Sequence, residues 1–355
     1  MIHSIPLQII LVALAVTIAC IIPGVFLVLR GIALMSDAIS HAILPGIVIM
    51  FLCIGTIDSL LLIIGASLAG LLTVLSTEAL MQTQCIKKDT ALGLVYPFFF
   101  SIGVLLISAC ARNVHLDTDM VLLGELAFAP FNQLSLYGYA IGPVALWTML
   151  FVCMCNGLYV YACFKQLVIT TFDPIFAYVQ HIRPSIYYYG LMTITALTTV
   201  TAFDAVGSIV VVALMICPAA VAYVLSDSIV HMMRLALTIG CYGTILGYIF
   251  AWYCDVSIAG SIATAHGIVL FVTLLCHREK GIISNIIAHR QRTLEFGVHC
   301  VAAYLADCPL QTSSIQNISC TLGWSQTYCN KVIKMAIRQA IISSDYHTAH
   351  LNQSH

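Results

Sequence analysis

The residues best placed to do chemistry sit in one short segment, SDAISHAILPG, from Ser36 to Gly46. Asp37 and His41 stand four positions apart, so a helix puts them on one face. A carboxylate oxygen beside an imidazole nitrogen suits manganese, iron or zinc. The flanks are apolar, and ionisable groups in apolar surroundings face a cavity or one another. Spacing leaves two readings about equal. One is a metal pathway; the other is an Asp37–His41 hydrogen bond that only fixes the helix, or a pair at the cytoplasmic mouth. Pro45 breaks or kinks the helix just beyond, as is common beside transport sites.

A second segment, TFDPIFAYVQHIRP, runs from Thr171 to Pro184. Asp173 and Pro174 are placed to start a short helix. Phe172, Asp173, Pro174, Phe176 and Ala177 then form a cytoplasmic element between spans, where a motor subunit would push. An ordinary interfacial helix has the same pattern, and spacing alone favours it.

Other chemistry-bearing residues read as structural. Cys217-Pro218 resembles the Cys-Pro of metal-pumping P-type ATPases, yet no aspartyl-phosphate motif accompanies it, and a packed thiol is the simpler reading. Asp204 lies in a short outer connection and is expected to be solvated. His266 falls within the last span and reads as a satisfied core histidine. Cys300, Cys308, Cys320 and Cys329 lack the paired spacing of a structural zinc site. No GxxxxGK[ST] phosphate loop occurs, so ATP is not bound by that route. No HExxH occurs either, which argues against an intramembrane protease.

The elements that position these residues follow from composition. The 355 residues are 61% hydrophobic and 8% charged, against about 25% charged in a soluble domain. Mean hydropathy is +1.01. Such a chain cannot cover a water-facing surface, and its apolar runs of about 20 residues are long enough to cross a bilayer as helices. The net charge of −1 supplies no basic field for nucleic acid. Many of the 15 cysteines, such as Cys20, Cys53, Cys110 and Cys217, lie inside apolar runs and behave as small hydrophobes. The N-terminus lacks the basic region of a cleaved signal peptide, so the first run reads as a retained span.

The expected fold is an all-α polytopic membrane helix bundle of eight or nine spans with a small cytosolic helical C-terminal domain. Nine candidate spans cover roughly 8–29, 38–56, 59–81, 91–111, 133–161, 186–203, 205–225, 233–253 and 258–276. With the N-terminus outside, Arg30, Lys87, Lys88, Lys165, Arg183, Arg234 and every basic residue from Arg278 onward fall in the cytoplasm. Only Arg112 falls outside, in a loop that also holds Asp117, Asp119 and Glu125. Residues 1–280 form the membrane domain and 281–355 a cytosolic tail. In the tail, a helix over Ser284–Ala306 ends at Asp307-Cys308-Pro309. Thr312 or Ser313 caps a second helix, and Ser325 a third that runs to Ile342. Lys331, Lys334 and Arg338 on the third helix read as a solvated face.

Together these residues resemble the metal-uptake branch of ABC importer permeases, which serve zinc, manganese and iron. The resemblance rests on LRGIALMSDAISHAILPG (Leu29 to Gly46), FDPIFA (Phe172 to Ala177) and TTVTAFDAVGSIVVVALMICPAAVAYVL (Thr198 to Leu225). DTALGLVYPFFFSIGVLLIS (Asp89 to Ser108) and HLDTDMVLLGELAF (His115 to Phe128) also match, and look closest to the manganese- and iron-type members. It covers about residues 8–276.

The resemblance implies a multi-pass permease of the bacterial inner membrane, not itself an enzyme, that moves the ion by alternating access. It implies ATP-binding partner subunits, an extracytoplasmic metal-binding protein, and a second permease copy or sister chain. No permanently bound cofactor is implied; the metal is cargo. Asp37 and His41 would line the path, and Phe172 to Arg183 would be the coupling region. Family members commonly carry Glu where Ile175 stands and Gly where His181 stands, and an aliphatic residue where Cys217 stands. The tail resembles the helical part of a winged-helix metal-dependent repressor, but no wing or basic recognition face is legible, so nucleic-acid binding is not expected. Three competing readings remain: a gradient-driven secondary transporter or channel, a membrane enzyme, and a metal-sensing or docking role for the tail.

Overall fold

The computed structural model describes residues 5–54, 60–83, 86–110, 126–136, 139–277, 281–307, 312–338, 342–345 and 348–351. They form two compact units, Met1–Thr273 and Leu274–His355. The division falls inside the last apolar helix, a few residues before the boundary that composition marks at 280.

Among the described residues of the first unit, nine helical stretches are long and apolar enough to cross a membrane. Helix is the expected form there, because in hydrocarbon every backbone N–H and C=O must be satisfied within the segment. In chain order they are α1 (Ile5–Leu29), α2 (Met35–Ala42) with α3 (Leu44–Ile54), α4 (Leu60–Gln82), α5 (Lys88–Cys110) and α6 (Val144–Phe172). After a short helix, α7 (Pro174–Val179), come α8 (Pro184–Val206), α9 (Ser208–Leu225), α10 (Ile229–Cys254) and α11 (Ile258–Cys276).

Helix α1 is buried nearly all round, packed against α6, α9 and α10. Small residues allow that approach, as is usual between membrane helices. At Gly24 an added Cβ would overlap the Met215 carbonyl of α9. Gly24→Ala is therefore expected to separate α1 from α9, at a cost of about 1–3 kcal/mol, the usual penalty for overpacking. Gly93→Ala is the control, since nothing lies within 4 Å of a Cβ there. Thermal unfolding in detergent should lower the midpoint for the first variant and not the second.

Side chains add polar ties between spans. Asn156 Nδ2 donates to the Ala19 carbonyl at 3.0 Å and to Thr198 Oγ1 at 2.8 Å. Thr17 and Thr244 share a hydroxyl contact at 2.8 Å, and Thr244 meets His266 Nε2 at 3.3 Å.

Three span boundaries differ from the sequence expectation. Residues 133–143 do not open the fifth span. Strands β1 (Gln133–Leu136) and β2 (Tyr139–Pro143) pair antiparallel there, with Gly142 at φ 137°. The helix begins only after Pro143, whose backbone is extended. It then runs on to Phe172, because nothing before Asp173-Pro174 stops it; a residue preceding proline disfavours the helical region. Second, the expected 38–56 span is two helices broken at Ile43, with Pro45 in the first turn of α3, where a missing N–H costs nothing. Third, α8 continues to Val206 and Gly207 alone, at φ 82°, joins it to α9. Asp204 thus sits in the last turn of α8 instead of in a connection.

The second unit contains α12 (Ile282–Asp307), α13 (Ile315–Thr321) and α14 (Gln326–Arg338). It is not purely helical. Strands β3 (Thr312–Ser314), β4 (Ile342–Asp345) and β5 (Thr348–Leu351) form an antiparallel sheet in the order β3-β5-β4. Thr312 and Ser313 pair in β3, and it is Ser314 whose Oγ accepts from Gln316 N at 3.3 Å to cap α13. Gly323, at φ 67°, turns the chain, and Ser325 Oγ accepts from Tyr328 N at 3.3 Å. Ile342 belongs to β4 and not to the third helix. Val301, Leu305, Ile318, Cys329 and Val332 form this unit's own core. Burial pushes the Cys329 thiol pKa up, in keeping with a side chain that packs in this core.

Candidate functional site

The site begins with the end of α1. The Gly31 N–H donates to Val28 O at 3.0 Å and the Ile32 N–H to Leu27 O at 2.9 Å, with Gly31 at φ 63°. This is the paired closure of a Schellman motif, which needs a left-handed residue and fits glycine. It turns the chain into α2. On that helix Met35, Ser36, Ala38, Ile39, Ser40 and Ala42 are buried against α4, α5, α8 and α9. Buried Ser36 and Ser40 satisfy their hydroxyls on the Ala33 and Ser36 carbonyls.

Asp37 and His41 occupy the one face of α2 that remains open. Asp37 Oδ1 and His41 Nε2 are 3.5 Å apart, with side chains 40% and 34% exposed. The Tyr96 ring of α5 stands 6.0 Å from the imidazole, tilted against it. Sequence reasoning did not single out Tyr96; a tyrosine beside Pro97 in an apolar run carries no mark of its own. Among the described residues no three His, Cys, Asp or Glu come together. The pair itself presents an oxygen and a nitrogen, fewer donors than a tetrahedral or octahedral ion needs.

The second segment folds as α7. Asp173 is its N-cap, with Oδ1 accepting from Phe176 N at 2.9 Å, and Pro174 follows at the first helical position. Phe172, Ile175, Phe176, Tyr178 and Val179 are exposed, while Ala177 is wholly buried. Ala177 thus seats the helix and the other apolar side chains face outward. His181 closes the turn at φ 58°, a left-handed position where glycine is the unstrained choice. Removing the cap with Asp173→Ala should cost about 1 kcal/mol locally and speed hydrogen exchange at the Phe176 amide about fivefold; Asp173→Asn, which keeps an acceptor, should not.

The remaining candidates are not drawn into either site. His266 is buried against Thr244 and Gly243. Cys217 is half-buried next to Pro218 within α9. Arg112, Asp117, Asp119, Glu125 and Cys308 lie outside the described residues.

Nine candidate spans, a broken helix carrying an Asp–His pair and an apolar helix displayed between spans define a multi-pass membrane transport subunit. The model of the ABC 3 transport family matches residues 3–277, and the chain belongs to that family. The zinc transport system membrane protein TroD of Treponema pallidum is 37% identical over 344 residues, 95% of this chain and 93% of that one. The manganese transport system membrane protein MntD of Bacillus subtilis is 38% identical over 270 residues, 76% of this chain and 91% of that one. The solved structure of PsaBC from Streptococcus pneumoniae in complex with Fab superposes with a TM-score of 0.65 at 29% identity, covering 79% of this chain and 94% of that one. The alignment with TroD covers 95% of this chain, so it extends into the second unit, whereas the family match ends at residue 277. In this family the chain is the permease, and ATP hydrolysis belongs to a separate subunit.

Proposed function

We propose that this permease carries a divalent transition metal, manganese, zinc or iron, into the cytoplasm by alternating access, with Asp37 and His41 as donors along the path. The observation that carries this reading is the pair itself: two metal-compatible donors 3.5 Å apart on the uncovered face of a broken membrane helix. The names of the relatives, zinc and manganese transport proteins, agree with that donor set. Two donors hold an ion weakly, which favours release, and a second permease chain would double the set to two carboxylates and two imidazoles.

Alternating access needs a free-energy source that distinguishes outward- from inward-facing states. An ATP-binding subunit docked on α7 supplies it, and an extracytoplasmic metal-binding protein delivers the ion. The exposed apolar side chains of α7 offer a docking surface for a motor subunit, which supports a motor-driven system over a gradient-driven one. Tail residues 281–355 form a separate cytosolic module, in keeping with the compact second unit. The deciding experiment is uptake of radiolabelled manganese, zinc and iron by the reconstituted complex. ATP-dependent accumulation of at least one is expected; accumulation that follows an ion gradient and ignores ATP would overturn the reading.

A further inference from the structure

Arg30 is the last residue before the Gly31 turn that leads from α1 into α2, the helix of Asp37 and His41. Its guanidinium reaches across to another part of the bundle. Nε donates to Thr171 Oγ1 at 3.0 Å and Nη2 donates to Thr170 Oγ1 at 2.9 Å. Both threonines lie in the last turn of α6, immediately before Asp173 caps α7. The Tyr188 ring, in the first turns of α8 just after α7, lies 5.9 Å from the guanidinium carbon. One cation therefore touches the helix that enters α7 and the helix that leaves it.

The hydroxyl geometry shows that this contact is specific. Thr170 Oγ1 donates to Leu167 O at 3.2 Å, and Thr171 Oγ1 to the same carbonyl at 2.6 Å. Each hydroxyl proton is thus committed backward along α6, and the lone pairs are left for Arg30. A planar guanidinium fork meets two such acceptors at once, which a lysine ammonium on a single stem does not. The cation also sits at the C-terminal end of α6, where the helix dipole favours positive charge. Burial lowers the Arg30 pKa, yet a guanidinium starts high enough to stay charged.

We infer that Arg30 is a positioning residue that transmits displacement of α7 to the helix bearing Asp37 and His41. The inference rests on reading α7 as the surface that meets the ATP-binding subunit and Asp37 and His41 as metal donors. A push on α7 moves the last turn of α6, and the fork of Arg30 moves the Gly31 turn with it. The structure shows the link made; transmission requires that displacement of α7 break it, the two-state behaviour that coupling between two sites needs.

The test counts manganese ions moved per ATP hydrolysed, in proteoliposomes holding the complete importer. Arg30→Ala should leave an assembled complex that still hydrolyses ATP but moves about tenfold fewer ions per ATP. Arg30→Lys, which keeps one contact, should recover part of the loss. Thr170→Val with Thr171→Val leaves Arg30 in place and should reproduce the loss, and adding Arg30→Ala to that pair should cost nothing more. Wild-type stoichiometry in Arg30→Ala would overturn the inference. So would losses that simply add, or a complex that no longer assembles in all of these variants, since both describe a structural staple. If the unmodified complex hydrolyses ATP and moves no metal, the underlying reading fails and takes the inference with it.

Discussion

Replacing either Asp37 or His41 with alanine should reduce ATP-driven metal uptake by at least about a hundredfold, while the permease still reaches the membrane. The expected size follows from donor count. On the proposed reading Asp37 supplies one oxygen donor group and His41 one nitrogen donor, so a single substitution removes half of that pair. Disturbing even the outer partners of a metal site costs about 10- to 100-fold, and loss of a direct donor costs more. The stability cost should be small. Both side chains are more than a third exposed and the pair is an i,i+4 contact, worth about 0.3–0.5 kcal/mol. A large loss of uptake without a large loss of stability separates the metal role from helix fixing. Asp37→Asn sharpens the distinction: it keeps a hydrogen-bond acceptor for His41 but removes the charge. Uptake should fall in Asp37→Asn as well. Normal uptake in both alanine variants would refute the assignment.

The second large effect is expected on the opposite functional surface. Ile175 and Val179 on α7 are 77% and 70% exposed, beside exposed Phe172 and Tyr178. On the proposed reading this apolar cluster outside the spans, on the side where the basic residues gather, is the interface with the ATP-binding subunit. Ile175→Asp with Val179→Asp should release the ATP-binding subunit. Charge placed at the centre of an interface commonly costs 2 kcal/mol or more, about thirtyfold in affinity. Co-purification of the two subunits and uptake should fall together, while the isolated permease keeps its thermal stability, because neither side chain contributes to the core. If the double variant still binds the ATPase normally, α7 is an interfacial helix lying on the lipid surface. Ala177→Asp would behave differently, since Ala177 is buried, and should destabilise the permease itself.

Much of the fold is legible in the sequence for one reason. In hydrocarbon the length and polarity of a segment nearly dictate its structure, so nine apolar runs yield nine candidate spans among the described residues. The Asp37–His41 pair is legible for the same reason: ionisable groups stand out against an apolar background, and a spacing of four fixes their common face. The cap and proline of α7 are equally local. What the sequence does not fix lies where local signals are weak or where distant residues meet. By sequence residues 133–143 are expected to open a span, yet Gln133–Leu136 and Tyr139–Pro143 pair as antiparallel strands. The tail strands are three or four residues long, too short to show alternation, and only their pairing reveals them. Tyr96 beside His41, and Arg30 holding Thr170 and Thr171, join residues far apart in the chain, with nothing in either segment pointing to the other. The sequence by itself determined how many segments are apolar enough to cross a membrane and which ionisable residues share a helix face, because transfer free energy and helical periodicity are local. Only the tertiary structure decided which of those groups touch, because contact depends on how whole helices pack.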